Sequence, residues 1–327
     1  EEDMKKPLHK RVDDLKRVTF HDKLGNLYDK TARMVDLSLS LSDKLFPDKR
    51  NDIERAARLC KTDLITGVVG EFPELQGLMG RYYALHDGET DDVANAIMQH
   101  YKPSCSGDSI PETDEGCILS LSDKIDNLAS FFNINIVPTG SEDPFALRRQ
   151  AIAIIAILLE KGYDITLREM LDKAGRCYAD RKSSLTDDVL NFFMQRIEPL
   201  LSARDYEPDM VQSVIHLAGD IPLNGLIERL DSIKRFATRG EYNSFLAAVK
   251  RVNNIIPGTE IPPMRQALLI ESQEKALCND IMDIKPKIHE LSVNKRYDDA
   301  LSLLTTLTGS INNFFDGVLV MDKRDEI

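Results

Sequence analysis

The chain has 327 residues, of which 42% are hydrophobic and 29% are charged, and its formal net charge is −12 at pH 7. This length predicts two or three domains, and no apolar run approaches the about 18 residues of a membrane-spanning helix. The five cysteines include no CxxC pair, which argues against a zinc site or a disulfide framework and favours reduced thiols in a cytosol-like compartment.

The net negative charge argues against nucleic-acid binding, because phosphate groups are contacted by Lys and Arg. The charge is unevenly distributed, however. From Leu226 onward the chain carries 14 Lys and Arg against 15 Asp and Glu, whereas the preceding part carries 28 against 39. The C-terminal part is therefore the more favourable place for a polyanion.

In the first part of the chain, the apolar spacing predicts helices over residues 12–46, 53–69, 91–101 and 117–131. The acidic start of the third helix matches the helix dipole. Asp143 followed by Pro144 predicts the start of a helix that runs to Lys161, before Gly162. Loops are predicted over residues 102–116 and 134–141.

The rest of the chain is also predicted to be helical, and no convincing strand alternation or internal repeat is found. A turn around Pro222 and a loop over residues 258–263 separate the predicted helices. The sequence therefore predicts an all-α fold, with further helices over residues 167–178, 186–200, 209–217, 226–238, 241–256, 264–293, 297–307 and 311–320.

Residues 61–89 contain glycines at unusual density between two amphipathic segments. Gly70, Gly77 and Gly80 indicate close backbone approach, since a side chain would keep two helices apart. This stretch predicts a tightly packed helical core. It ends at the turn signal Asp87-Gly88.

Several sequence blocks resemble those of the beta subunit of the bacterial-type (alpha/beta) glycyl-tRNA synthetases. The blocks are GEFPELQG and MGRYYALHDGE in the Gly-rich stretch, then LSDKIDNL, PTGSEDPFALRRQA, KRVNNI and INNFFDGVLVM, in family order over nearly the whole chain. The resemblance implies a fragment with an HD-like helical domain (residues 1–145), a helical connecting body (146–225) and an anticodon-binding helical domain like that of arginyl-tRNA synthetase (226–327). The last domain is expected to be incomplete.

Metal-dependent HD hydrolases hold a divalent ion with a His, a His-Asp pair and a distant Asp, and the ion activates water. The resemblance places Thr62 and Asp63 at the pair, Asp123 at the distant Asp, and His21 at a plausible first ligand. Because Thr62 replaces a His and Lys61 is adjacent, no metal is predicted. A structural Asp63–Asp123 pair that braces helices is the preferred interpretation, and a metal phosphohydrolase is the alternative.

Two further positions in the N-terminal half have competing interpretations. Arg148 and Arg149 are candidate RNA-backbone contacts, but they could also pair within their helix with Asp143, although a spacing of five or six residues is poor for that. Lys124 and Asp126 could form an exposed helical face.

The C-terminal candidate surface combines basic side chains with an amide, which are the donors that hold phosphate and read unpaired bases. From spacing alone, a solvated helix face with Glu228 and Asp231 as partners is the stronger interpretation, but the resemblance favours tRNA contact. Phe314 and Phe315 could stack a base but fit a core better. The candidate tRNA-binding residues here are Lys234, Arg235, Arg239, Lys250, Arg251 and Asn254.

The sequence has no Gly-rich phosphate loop, no GxSxG motif and no synthetase ATP-binding motif. The resemblance therefore implies a part of glycine–tRNA ligase that binds tRNA-Gly and positions its acceptor arm and anticodon, while an alpha part, separate or fused, uses glycine, ATP and Mg²⁺. No cofactor and no membrane is predicted for this chain. A cytoplasmic location is expected, with an organellar one open for a fused parent, and an acidic protein-interaction scaffold is a further alternative.

Overall fold

The computed structural model describes residues 1–105, 107–140, 142–256 and 266–318. The predicted all-α class is confirmed, since the described residues form α-helices, short 3₁₀ helices and one small antiparallel hairpin, β1 (Thr19–His21) with β2 (Gly25–Asn26). None of the described helices is long and apolar enough to cross a membrane. The predicted loop at 258–263 lies outside the described residues, as do residues 264–265 of the predicted helix 264–293 and residues 319–320 of the predicted helix 311–320.

The chain forms two compact units. The first comprises Glu1–Asp205 and Val211–Leu226, and the second comprises Tyr206–Met210 and the described residues from Ile227 onward. The division of the chain into three domains stays a prediction.

The first unit begins with 3₁₀ turns at Asp3–Lys5, Leu8–Lys10 and Val12–Arg17, and further 3₁₀ turns lie at Pro47–Lys49, Thr62–Ile65 and Pro73–Leu75. Its helices are α1 (Leu27–Leu45), α2 (Arg50–Leu59), α3 (Gly67–Glu71), α4 (Leu78–His86), α5 (Asp91–Gln99), α6 (Asp114–Asn133), α7 (Leu147–Lys161), α8 (Leu167–Gly175) and α9 (Leu185–Ser202). Helices α10 (Pro208–Ile215) and α11 (Leu223–Ala237) each contribute residues to both units.

The second unit continues with α12 (Tyr242–Ile255), a 3₁₀ turn at Gln266–Leu268, α13 (Ser272–Val293), α14 (Tyr297–Thr305) and α15 (Leu307–Gly317). Helix α13 packs against α14 and α15, and α12 packs against α15. Leu230, Phe236 and Ala248 are buried within this unit.

Helix α6 is the centre of the first unit. It contacts α1, α2, α5, α7, α8 and α9, and Leu119, Leu121 and Ile125 on it are completely buried. A helix surrounded in this way must bury its polar side chains too, and each of those needs a partner. The polar residues of α6 therefore mark where a site can form.

Two predicted helical stretches are interrupted. Residues 12–46, predicted to form helices, also contain the hairpin, because Gly25 has φ 83° and Asn26 begins α1 with a capping box formed with Asp29. The predicted helix 53–69 is broken after Leu59, and its last part restarts as α3, which Thr66 caps through the backbone N–H of Val69.

Candidate functional site

Asp123 on α6 lies at the centre of a buried cluster of charged side chains. Its carboxylate oxygens lie 2.7 Å from Nζ of Lys30 on α1 and 2.9 Å from Nζ of Lys61, which follows α2. Burial alone would raise the pKa of Asp123, but the ammonium groups of Lys30 and Lys61 hold this pKa well below its usual value. Asp123 is therefore ionised and neutralised by lysine side chains.

Asp126, one turn further along α6, binds a second set of donors. Arg33 Nε lies 2.7 Å from Asp126 Oδ1, and the Tyr178 hydroxyl donates to the same oxygen at 3.0 Å. Lys30 Nζ lies 3.2 Å from Asp126 Oδ2 and donates to Asn127 Oδ1 at 2.7 Å. Lys30 therefore bridges both carboxylates of α6 and ties α1 to it.

His100, just after α5, completes the environment of Lys61. Its Nδ1 lies 2.6 Å from the carbonyl oxygen of Ile97, which can only accept, so Nδ1 carries the proton. Nε2 is then free to accept from Lys61 Nζ at 2.8 Å. Burial, together with the positive charge of Lys61, lowers the pKa of His100 well below 6.5. The imidazole is therefore neutral.

Asp63 is buried beside this cluster but makes different contacts. Its Oδ2 accepts the Gly77 backbone N–H at 2.6 Å, and a Cβ on Gly80 would lie 3.0 Å from the same oxygen. Asp63 Oδ1 has no hydrogen-bond partner in the described part of the chain, and burial raises the pKa of Asp63. Asp63 and Asp123 thus contact separate groups, the Gly77 backbone N–H and the lysine ammonium groups, and do not form a mutual pair.

The other two positions that the resemblance assigned to the HD site have structural contacts. The Thr62 hydroxyl donates to the Leu59 carbonyl oxygen at 2.7 Å. The His21 ring packs edge-on against Phe131 and Phe145 at 5.8 and 6.0 Å between ring centroids. Within the described ranges, no group of His, Cys, Asp and Glu is arranged to hold a metal ion.

The expectation of an exposed face at Lys124 and Asp126 is wrong, because both side chains are buried on the central helix. Lys124 Nζ donates to the carbonyl oxygens of His100 and Lys102 at 3.0 and 3.1 Å, and to Ser120 Oγ at 2.7 Å. All these acceptors are neutral, and burial lowers the pKa of Lys124 to about 8. Lys124 is therefore a buried cation without a carboxylate in contact.

The cluster lines one side of a cleft of about 460 Å³ in the first unit. Neutral side chains of α1, α6 and the segment after α5 line much of the rest of it. The charged residues on its wall are Lys30, Lys61, Lys124 and Arg149, with the carboxylate of Asp123.

The neighbouring arginines at the start of α7 have different surroundings. The Arg148 guanidinium donates to the carbonyl oxygens of Gly140 and Glu142 at 2.8 and 3.3 Å, and Asp143 accepts the Arg148 backbone N–H at 2.9 Å. Asp143 is thus a cap and not an ion-pair partner. Arg149 is exposed, lines the cleft and has no hydrogen bond or ion pair to any described residue.

In the second unit, Asp298 on α14 contacts two of the candidate arginines, Arg235 on α11 and Arg239 just after this helix. Arg235 Nη2 lies 2.5 Å from Asp298 Oδ2, and Arg239 Nη2 lies 3.8 Å from Oδ1. The hydrogen bond from Arg235 lowers the pKa of Asp298. Lys234 lies over the Tyr206 ring at 5.6 Å.

Helix α12 carries the remaining candidates. Arg251 donates to Asn312 Oδ1 and lies 3.1 Å from Asp316 Oδ1, both on α15. Lys250 and Asn254 are exposed, have no side-chain partner among the described residues, and lie four residues apart on one helix face. Arg235 and Arg239 thus meet at Asp298, whereas Lys250 and Asn254 share one face of α12. Phe315 packs under Arg251 at 4.6 Å.

Sequence reasoning missed Lys30 and His100 and underestimated Lys124. Each is a single polar residue in or beside a helix and carries no motif. The available signal was the density of polar residues on α6, because a central helix with Ser122, Asp123 and Lys124 in succession must bury some of them.

The fold and the cleft define an all-α protein in which lysine side chains occupy the surroundings of Asp123. An ammonium group has no open coordination position and cannot act as a Lewis acid toward water. The lysines beside Asp123 therefore supply positive charge without Lewis acidity.

The comparisons agree with the resemblance. A family model described as glycyl-tRNA synthetase beta subunit matches residues 1–216. The glycine–tRNA ligase beta subunit of Thermodesulfovibrio yellowstonii is 41% identical over 327 residues, which is 100% of this chain and 48% of that protein. The beta subunits of Clostridioides difficile and Geotalea daltonii are each 38% identical, over 331 and 335 residues, with the same coverage.

The chain belongs to the glycyl-tRNA synthetase beta subunit family. It spans about half the length of the curated relatives it matches.

Proposed function

We propose that this chain is the tRNA-binding part of a cytoplasmic glycine–tRNA ligase and that it positions tRNA-Gly for glycylation by an alpha part. That part supplies the chemistry with glycine, ATP and Mg²⁺. Alignment of the whole chain with glycine–tRNA ligase beta subunits supports the proposal most strongly. Holding the acceptor arm and the anticodon lowers the barrier, because a diffusional encounter becomes an aligned, bound geometry.

The charge distribution of the second unit supports the same proposal. The chain from Leu226 onward is close to neutral although the whole chain is at −12. On α12 the exposed ammonium of Lys250 and the exposed amide of Asn254 are available to a ligand. Arg235 and Arg239 would have to exchange Asp298 for phosphate, which costs less at an exposed ion pair than at a buried one.

The test is binding of this chain to tRNA-Gly, and to versions with altered anticodon bases, over a series of salt concentrations. Lys250→Gln should weaken binding and reduce the slope of log K against log salt by about one, because a phosphate contact is lost. Lys285→Gln removes the same charge from an exposed side chain on α13 that has no ion pair or hydrogen bond to a described residue, and it serves as the control. No binding at low salt would overturn the proposal.

A substitution in the opposite direction sharpens the test. Asp298→Asn releases Arg235 and Arg239 from their carboxylate and should strengthen tRNA binding if these arginines contact phosphate. Unchanged affinity would remove both arginines from the proposed contact surface, while the Lys250→Gln result would still report on α12.

A further inference from the structure

The cleft beside Asp123 has a strongly positive lining in an acidic protein. Its wall carries four cationic side chains, Lys30, Lys61, Lys124 and Arg149, against one carboxylate, Asp123. The whole chain has a net charge of −12. Cationic walls of low polarisability concentrate the electrostatic field inside a cleft, so this one attracts anions that the rest of the surface repels.

The lysines and the other donors of the cleft have different roles. Lys30, Lys61 and Lys124 already donate to protein acceptors, so they contribute mainly positive potential. The Arg149 guanidinium, by contrast, is exposed and has no described partner. Tyr101 lines the cleft, and its buried hydroxyl has no hydrogen-bond partner in the described residues.

An unpaired buried hydroxyl costs free energy unless a ligand or water satisfies it. Tyr101 cannot easily turn away, since its ring lies between the His100 ring at 3.8 Å and the Lys61 ammonium at 4.3 Å from the ring centre. A Cβ on Gly77 would lie only 2.8 Å from the Tyr101 ring, so the glycine permits this position. The hydroxyl is thus held in place without a hydrogen-bond partner among the described residues.

We propose that this cleft binds the phosphate group of a small organic phosphate of about mononucleotide size, without a metal ion. Arg149 and the Tyr101 hydroxyl donate hydrogen bonds to the phosphate oxygens, and the buried lysines balance the negative charge. The volume of about 460 Å³ lies in the range of small-molecule sites, about 300–1,000 Å³, and exceeds what a phosphate ion needs. The apolar side chains of Leu27 and Leu64 on the same wall contact the uncharged part of the ligand.

The test measures binding of AMP, inorganic phosphate and adenosine to the full 327-residue chain by calorimetry in the presence of EDTA. AMP should bind, inorganic phosphate should bind more weakly and compete with it, and adenosine should not bind measurably. Absence of AMP binding at millimolar concentration, or binding that requires an added divalent ion, would overturn the proposal.

Three variants locate the site. Arg149→Gln and Tyr101→Phe should each weaken AMP binding about tenfold or more, since each removes a hydrogen bond to a charged group. Tyr101→Phe should leave the unfolding midpoint unchanged or raise it, because the lost hydroxyl has no hydrogen-bond partner among the described residues. Arg176→Gln is the charge-matched control, because the Arg176 side chain is exposed, lies outside the cleft and has no ion pair or hydrogen bond to a described residue. Equal AMP affinity in all three variants would overturn the assignment.

A second part of the experiment distinguishes a phosphate at an RNA end from the phosphate of a free metabolite. A short 5′-phosphorylated oligonucleotide is compared with AMP, each alone and in competition. Tighter binding of the oligonucleotide, reduced by Arg149→Gln, assigns the cleft to an RNA end, and tighter binding of AMP assigns it to a free metabolite. Lys250→Gln, which belongs to the proposed tRNA surface of the second unit, should not alter AMP affinity, so either proposal can fail alone.

Discussion

Replacing Lys61 by Met tests whether the charged cluster holds the first unit together. Met retains the apolar stem of the side chain but removes the ammonium that lies 2.9 Å from Asp123 Oδ2 and 2.8 Å from His100 Nε2. Asp123 then keeps only Lys30, at 2.7 Å, and His100 Nε2 loses its donor. Removing one partner of a buried ion pair costs about 3–5 kcal/mol. Because Lys30 remains beside Asp123, the expected loss of unfolding free energy is about 3 kcal/mol.

The matched control is Lys44→Met, which removes an ion pair of nearly the same length. Lys44 Nζ lies 2.8 Å from Glu169, but the two side chains are 37% and 41% exposed, whereas those of Lys61 and Asp123 are 5% and 9% exposed. An exposed pair contributes at most about 1 kcal/mol. Burial, and not distance, therefore accounts for the predicted difference.

The assay is urea unfolding followed by circular dichroism, together with hydrogen exchange of the α6 amides, which reports on the first unit alone. Lys61→Met should lower the free energy of opening of α6 by about 3 kcal/mol and Lys44→Met by less than about 1 kcal/mol. Equal losses in the two variants would refute the argument that the lysines neutralise a buried carboxylate.

Acidification, helix packing and metal addition give independent tests. Burial holds the pKa of His100 well below 6.5, so only the unfolded state takes up this proton. Stability should therefore fall as the pH drops below about 6.5, by at most about 1.4 kcal/mol per pH unit. His100→Asn should reduce this slope in urea titrations, and an unchanged slope contradicts the assignment. Gly80→Ala should lower the free energy of unfolding by about 1–3 kcal/mol, because its Cβ would lie 2.7 Å from Ile97 Cγ2. Gly70→Ala, whose Cβ would have nothing within 4 Å, should change this free energy by less than about 1 kcal/mol. Equal urea midpoints for the two variants would contradict this. Mn²⁺ or EDTA should leave the thermal midpoint unchanged, and a saturable rise with Mn²⁺ would show that the lysines do not exclude a metal.

The long, strongly periodic helices could be predicted from the sequence, and the interrupted ones could not. Helix α7 ends at Lys161 as predicted, because Gly162 adopts φ 66° and stops it. The hairpin before α1 was missed because residues 12–46 keep a helical apolar stripe, and the apolar spacing does not reveal that Asn26 caps a new helix. Short-range capping and turn signals therefore limit the prediction of helix boundaries more than the apolar periodicity does.

The candidate site could be predicted in part. The resemblance pointed to Asp63 and Asp123, which are buried in the first unit. It gave no information on Lys30, which approaches Asp123 from 93 positions earlier in the chain, because a lysine on an amphipathic helix is usually solvated. The contact depends on α1 packing against α6, and that is a tertiary feature.

The resemblance places Thr62 where a metal-binding His would stand, and this is consistent with the lysines around Asp123. An HD-type site balances a divalent cation with imidazoles and carboxylates, so losing a His ligand leaves a buried carboxylate without its cation. Here Lys30 and Lys61 place two positive charges beside Asp123, and the neutral His100 accepts from one of them. The charge balance of the core is thereby kept without a Lewis acid. Such an arrangement keeps cationic side chains along the cleft without a Lewis acid that could activate water, as the proposed anion binding requires.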